Sequence, residues 1–418
     1  MLLRSALLAD GRVVDIVLAG ASITAVTHTV TPTGTPDLGP RPAPPLDESD
    51  SMDLTGYLVL PAPVEPHAHL DKALTADLVA NPDGDLLSAI GAWTAAYPDR
   101  TVEEIAGRAR RAALRNLAHG CRAIRTHVDV NSQIGLRGVQ ALLEVKAELA
   151  PLVELQLVAL MGRPLPGPAG AANRGLLAQA LELGVDVVGG CPHIDNDRHG
   201  HLDLALEAAA AYQRPLDLHM DENLEIDSLD LSYLAQRVGQ TGFAHGVVAS
   251  HCTSLSMQSA ARQDEIARQV AEAGISVVTL PQTNLFLQAR GWRCAPPRGL
   301  TALAALLEAG VNVAAGADNL QDPFNPVGRG DPLETAALLM MAGHLDADQA
   351  YRAISAGARQ AMGLPPVCVE AGYPGELLAI KAGSVREAIA SAPLDRLVFG
   401  GGRLIARTDT VTQISARN

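Results

Sequence analysis

Eight short runs of branched and apolar residues, separated by alanine-rich helical stretches, restrict what this chain can fold into more than any other feature. They are YLVLPAPVEPH (57–67), AIRTHVDV (123–130), ELQLVAL (154–160), VDVVGGC (185–191), PLDLHM (215–220), GVVASHC (246–252), ISVVTLP (275–281) and VNVAAGAD (311–318). Apolar strands that alternate with helices such as TVEEIAGRARRAALRNLAHG (101–120) imply a parallel sheet covered on both faces. Eight such units point to a closed (β/α)8 TIM-like barrel, an α/β fold, rather than to an open sheet. No GxGxxG follows an early strand, which lowers the dinucleotide-binding alternative.

The barrel is expected over 57–365, with 1–56 and 366–418 joining in one small β-sandwich domain built from both ends of the chain. Those flanks read as short alternating segments, RVVDIVLAG and SITAVTHTV before the barrel and GELLAIKAG and RLIARTD after it. Between them TPTGTPDLGPRPAPPLDESD (31–50) is too rich in proline for a central strand and reads as a surface loop. The first two barrel runs are spaced about twice as widely as the others, and 78–99 in that interval is long enough for an extra helix or lid over the barrel mouth.

Charge narrows the partners. With 32 Lys and Arg against 46 Asp and Glu the formal charge is −14, and aromatics are only 3%. Such a chain has neither the positive field nor the stacking surface of a nucleic-acid binder. Hydrophobic residues at 48% allow a large buried core. No apolar run reaches the length of about 18 residues that a membrane span needs, and MLLRSALLADGR is a poor secretory signal. Five scattered cysteines without a CxxC pair fit a reducing compartment, so a cytoplasmic protein is expected.

Barrels of this kind place reactive groups at the C-terminal ends of their strands. Those ends carry His67 and His69, then His219 and Glu222, then His251, and last Asp318. In an extended backbone the two imidazoles of His67-Ala68-His69 point to one side and can reach one ion. His219 and Asp318 complete a nitrogen and oxygen set suited to one Zn²⁺ or Fe²⁺ with a position left open.

VEPHAHLDKAL, IRTHVDV, LHMDE, ASHCTSL and GADNLQDPFNPVG resemble the amidohydrolase superfamily, in particular its cytosine deaminase branch. The likeness continues through NLFLQAR (284–290) and PPRG (296–299) and covers most of the chain. It implies that His67, His69, His219 and Asp318 bind the metal, that Glu222 shuttles protons and that His251 orients the attacking water. General principles support those roles. A divalent ion makes hydroxide available at neutral pH, a carboxylic acid can protonate a ring nitrogen and the leaving amine, and an imidazole can steady a developing oxyanion. Asp318 can also accept the proton of the attacking water. Members with two metals carry a bridging lysine on strand four; VDVVGGC has none, so a mononuclear site is expected. Lys72 lies on the wrong strand for that role and is placed at the barrel mouth.

The substrate edge departs from the branch. Gly162 stands where cytosine deaminases place a glutamine, and the strand-eight aspartate is flanked by Ala317 and Asn319 instead of histidine and aspartate. Arg163, turned inward, would suit a carbonyl-rich or anionic ring, and Trp93, Phe286 and Phe324 either line a pocket for a flat ring or pack in the core. His127 and Asp129 are read as an outer-shell pair or a structural one, His193, His199 and His201 as a solvated loop, and Cys252 as a small buried side chain. The expected function is hydrolytic deamination of a small nitrogen heterocycle, cytosine or a related pyrimidine, by a homo-oligomer with no nucleic-acid or membrane partner. Alternatives are a triazine (ammelide-type) or creatinine-type aminohydrolase, a cyclic amide hydrolase, and a barrel without catalysis.

Overall fold

The computed structural model describes residues 1–28 and 51–415, so the proline-rich stretch 31–50 lies outside the described residues. Five strands open the chain: β1 (Leu2–Leu7), β2 (Val13–Ala19), β3 (Ser22–His28), β4 (Ser51–Asp53) and β5 (Leu58–Pro61). Eight more follow: β6 (Glu65–Ala68), β7 (Ala123–Val130), β8 (Glu154–Met161), β9 (Val187–Gly190), β10 (Leu216–Met220), β11 (Val247–His251), β12 (Ser276–Thr279) and β13 (Val313–Ala315). The last three are β14 (Leu377–Ile380), β15 (Arg396–Gly400) and β16 (Arg403–Thr408).

Strands β6 to β13 pair in chain order, all parallel, and form the barrel sheet. The terminal strands make a second, sandwich-like unit in the order β16-β15-β14-β5-β1-β2-β3, with β4 on β1. Its core is its own, built on residues such as Leu3, Ile16, Ile23, Leu397 and Phe399. The run 57–67, which its composition presents as one barrel strand, divides between the two units. Leu58–Pro61 pairs antiparallel with β14, and only Glu65–Ala68 enters the barrel. The physical reason is the Pro61-Ala62-Pro63 sequence, since proline has no N–H to continue a ladder.

All eight residues of β7 are buried although three are charged or titratable: Arg125, His127 and Asp129. They alternate with Ile124, Val128 and Val130, which pack in the main apolar core, so the polar set faces inward together. Helices cover the outside. In α1 (Leu86–Ala95) the side chain of Asp85 caps the start by accepting from Ser88 N, and Ala89 and Trp93 are buried at i, i+4 spacing. In α2 (Val102–Ala118) Thr101 caps Glu104 N, acidic residues fill the first turn, and Ile105, Ala109, Ala112 and Leu117 are buried. Helix α1 lies in the insertion expected over the mouth.

The barrel closes between β6 and β13 through a single bridge, Ala68 to Asp318, and a hydrogen bond from Asp318 N to His67 O at 3.0 Å. Glu65 strengthens this thin seam: its two carboxyl oxygens accept from His67 N at 3.1 Å and from Ala317 N at 2.9 Å. Gly316 makes the approach possible, because a Cβ there would sit 2.3 Å from Glu65 Oε1. Among the described residues no helix is long and apolar enough to cross a membrane.

Candidate active site

The six strand-end residues picked out from the sequence meet in one buried cluster at the C-terminal end of the barrel. Nε2 of His67 and of His69 lie 3.2 and 3.1 Å from Nε2 of His219. The same two nitrogens are 3.7 and 3.3 Å from Oδ1 of Asp318. Donors about 2.0–2.1 Å from a tetrahedral ion would be spaced roughly 3.3–3.4 Å apart. Both Asp318 oxygens and Nδ1 of His219 are buried without a hydrogen-bond partner. Burial pushes the His67, His69 and His219 pKa values well below the ordinary imidazole value, so each presents a neutral ring. Neutral imidazoles and one carboxylate at this spacing suit a divalent cation.

Backbone conformation at two strand ends serves this convergence. His251 and Asp318 both adopt left-handed backbone, φ 69° and 64°. A non-glycine residue held there carries strain on the order of 1–3 kcal/mol, which the surrounding packing must offset.

Glu222 and His251 flank the cluster. Nδ1 of His251 is 3.5 Å from Glu222 Oε1 and accepts from Asn284 Nδ2 at 3.1 Å. An amide NH₂ only donates, so His251 carries its proton on Nε2, the nitrogen 3.9 Å from Asp318 Oδ2. Burial lowers the His251 pKa to about 4. Burial, and then the nearby Asp318 charge, push Glu222 well above the ordinary carboxylate range. Asn284, which sets the His251 tautomer, escapes sequence reasoning because it sits unremarkably in NLFLQAR.

A second layer surrounds the cluster. Lys72 is buried in the wall of the cavity at the strand ends, with Nζ 3.2 Å from His69 Nδ1 and 3.0 Å from Asp129 Oδ1, so it is a member of the site. The other Asp129 oxygen accepts from Trp93 Nε1 at 2.7 Å and from the Tyr97 hydroxyl at 3.0 Å. The insertion bearing α1 is thereby fastened to the strand ends. His127 stacks on His67 with ring centroids 4.0 Å apart.

His69, Lys72, Asp129, His219, Glu222, His251 and Asp318 form the floor of a cavity of about 390 Å³ whose outer wall includes Gly162, Arg163, Asn319, Trp93 and Phe324. A Cβ on residue 162 would lie 2.3 Å from the Asn131 Cβ, so the chain has no room there for the branch glutamine. Arg163 is exposed at the rim and donates to Ile194 O at 3.0 Å. The Asn319 amide is engaged on Asp322 Oδ2 at 2.8 Å and by the Thr283 hydroxyl at 3.3 Å. Phe324 lies 5.8 Å from Lys72 Nζ, which faces its ring.

The histidine-rich loop after β9 differs from its solvated reading. His193 lines the cavity with Nδ1 3.2 Å from His219 O, and His201 is buried 2.9 Å from Asp195 Oδ2; only His199 is exposed. The 3-10 turn Pro192–Ile194 folds that loop back over β10, which its polar composition does not reveal.

Comparison with known proteins places this geometry. The amidohydrolase family model matches residues 91–396. A pterin deaminase of Rhizobium rhizogenes is 33% identical over 86% of this chain and 83% of its own length. N-isopropylammelide isopropyl amidohydrolase of a Pseudomonas species is 26% identical over 87% of this chain and 89% of its own. The structure of 5-methylcytosine deaminase from Klebsiella pneumoniae with 5-fluorocytosine superposes with a TM-score of 0.88, at 28% identity, over 100% of this chain and 99% of that one. A family match over most of the barrel, on a cluster of this construction, leads to one conclusion: the chain belongs to the amidohydrolase family, in its deaminase branch.

Proposed function

We propose that this protein is a hydrolytic deaminase of an aminopyrimidine ring, either free, as in cytosine, or fused to a second ring, as in pterin. The observation that carries the reading is Glu222. It is a buried carboxyl whose pKa is raised well above the ordinary range, and it lines the same cavity as His69, His219 and Asp318, which with His67 behind them make three neutral imidazoles and a carboxylate at ligand spacing.

His67, His69, His219 and Asp318 would hold one divalent cation, Zn²⁺ or Fe²⁺. Such a cation, when bound, lowers the pKa of water from about 15.7 to roughly 7 and so supplies hydroxide at neutral pH. The chain's own groups do the rest. Asp318 Oδ2, without a partner, accepts the proton of the attacking water. His251 donates from Nε2 toward the oxygen that gains charge as the ring carbon becomes tetrahedral. Glu222, protonated in its buried setting, gives its proton to the adjacent ring nitrogen, then takes the remaining hydroxyl proton of the added water and passes it to the departing amine, and the proton held by Asp318 restores Glu222. Water adds, ammonia leaves, and a ring carbonyl replaces the amino group.

Two relatives support an aminopyrimidine: the pterin deaminase by sequence and the 5-methylcytosine deaminase by structure over the full chain. The outer wall favours the fused ring over cytosine itself. It has glycine at 162 where the branch places the glutamine that pairs with a small pyrimidine edge, and the cavity of about 390 Å³ extends under α1. The test is release of ammonia by the metal-loaded protein from pterin, cytosine and 5-methylcytosine, and of isopropylamine from N-isopropylammelide. Turnover is expected on the aminopyrimidines, pterin foremost. Amine release from the ammelide alone moves the assignment to triazines, and release from no member of the set refutes it.

A further inference from the structure

Beneath the cluster lies a chain of polar side chains that neither the ligand set nor the proposed acid–base steps use. Nδ1 of His67 is 2.9 Å from the hydroxyl of Ser250. Ser250 Oγ is in turn 3.2 Å from Asp217 Oδ1, and Arg125 Nη1 donates to Asp217 Oδ2 at 2.9 Å. Arg125 is anchored by Gln156 Oε1, at 3.0 and 2.8 Å, and by Ala361 O at 3.2 Å. Ser250 and Asp217 are fully buried and Arg125 is 2% exposed.

The proton count along this chain has one solution. Arg125 can only donate, and its charge beside Asp217 keeps that side chain an acceptor. Contact between Ser250 Oγ and Asp217 Oδ1 then needs the serine proton between them. Ser250 has no second proton to offer, so it accepts from Nδ1–H of His67. A neutral imidazole protonated on Nδ1 has its lone pair on Nε2, the nitrogen that points to His219 and Asp318.

We propose that Ser250, backed by Asp217 and Arg125, is a positioning relay that locks His67 in the tautomer able to ligate the cation. The inference rests on the reading of His67 as a ligand and extends it inward by one layer. Strand periodicity builds the relay: Asp217 stands two residues before His219 on β10, Arg125 two before His127 on β7, and Ser250 immediately before His251 on β11. Partners of this kind on metal-ligating histidines are typically worth about 10–100-fold in metal affinity.

The experiment titrates metal-free full-length protein with Co²⁺, read by its visible spectrum, and with Zn²⁺ against a chelator. Wild type, Ser250→Ala and Ser250→Thr are compared, and thermal unfolding is recorded for each. Ser250→Ala is expected to bind both ions about 10–100-fold more weakly while still folded; Ser250→Thr, which keeps the hydroxyl, is expected to stay within a few-fold of wild type. Ser250→Ala with wild-type affinity and spectrum overturns the relay alone. Wild type that takes up no cation overturns the parent reading and the relay with it. Should Ser250→Ala fail to fold, Asp217→Asn decides: unchanged affinity there overturns the relay, and weakened affinity supports it.

Discussion

The inner and outer halves of the cavity are built by different means. Inner groups stand on or just after barrel strands, are buried, and are bonded to other buried groups: Asn284 holds His251, Ser250 holds His67, and Glu65 holds the backbone of both His67 and Ala317. Outer groups come from the insertion before α2 and from the loops after β8, β9 and β13, and several already use their polar atoms on one another, as Arg163 and Asn319 do. A rigid floor fixes reacting atoms within a fraction of an ångström, whereas a loop-built wall can change from one relative to the next without disturbing the chemistry.

The contrast can be broken at several points, beginning with the floor. His69→Ala is expected to lose both bound cation and turnover; metal analysis finding a full equivalent per chain would refute the ligand assignment. Glu222→Gln keeps shape and removes the proton, so cation content should be unchanged while kcat falls about 10²–10⁴-fold, the range for a general acid–base group. Steady-state ammonia release checks this, and a kcat within a few-fold of wild type removes Glu222 from the mechanism.

Changes in the wall should act on binding and stability first. In Gly162→Ala the added carbon meets Asn131 Cβ at 2.3 Å, and relieving such overpacking is expected to cost about 1–3 kcal/mol of stability, with cation binding intact. Denaturant titration reads this effect. The smallest change is expected from Trp93→Phe, which keeps an aromatic ring but withdraws one of two donors from Asp129 Oδ2, the other being Tyr97. A weakening of about 0.5–1.5 kcal/mol would raise KM roughly 2–10-fold with little change in kcat. A fall in kcat at constant KM would show instead that the wall shares in the chemistry.

Much of the floor is legible in the order of residues along the chain. HxH after one strand, histidines after two others and an aspartate after the last stand out because polar residues that end apolar runs have few other reasons to be there. Other members are hidden by ordinary surroundings. Glu65 looks like part of a proline-broken linker, Ser250 like a small strand residue, and Asn284 like one polar position in a short helix. Their partners lie far along the chain: Ser250 is 183 residues from His67, and Ala317 is 252 from Glu65. No local pattern encodes such pairings. His193 illustrates the reverse error, a residue with solvated neighbours that a single 3-10 turn carries into the cavity.

From the sequence alone came the architecture and the ligand-bearing strand ends, because the alternation of strand and helix and the two-residue period of extended chain are local properties. Tertiary structure decided which ring nitrogen of His67 and His251 carries the proton, that Asp129, held by Lys72, binds the insertion to the site, and that a Cβ at residue 162 would collide with Asn131. Those outcomes depend on distances of a few ångströms between segments brought together only by barrel closure, and proton positions and steric limits are set at that scale.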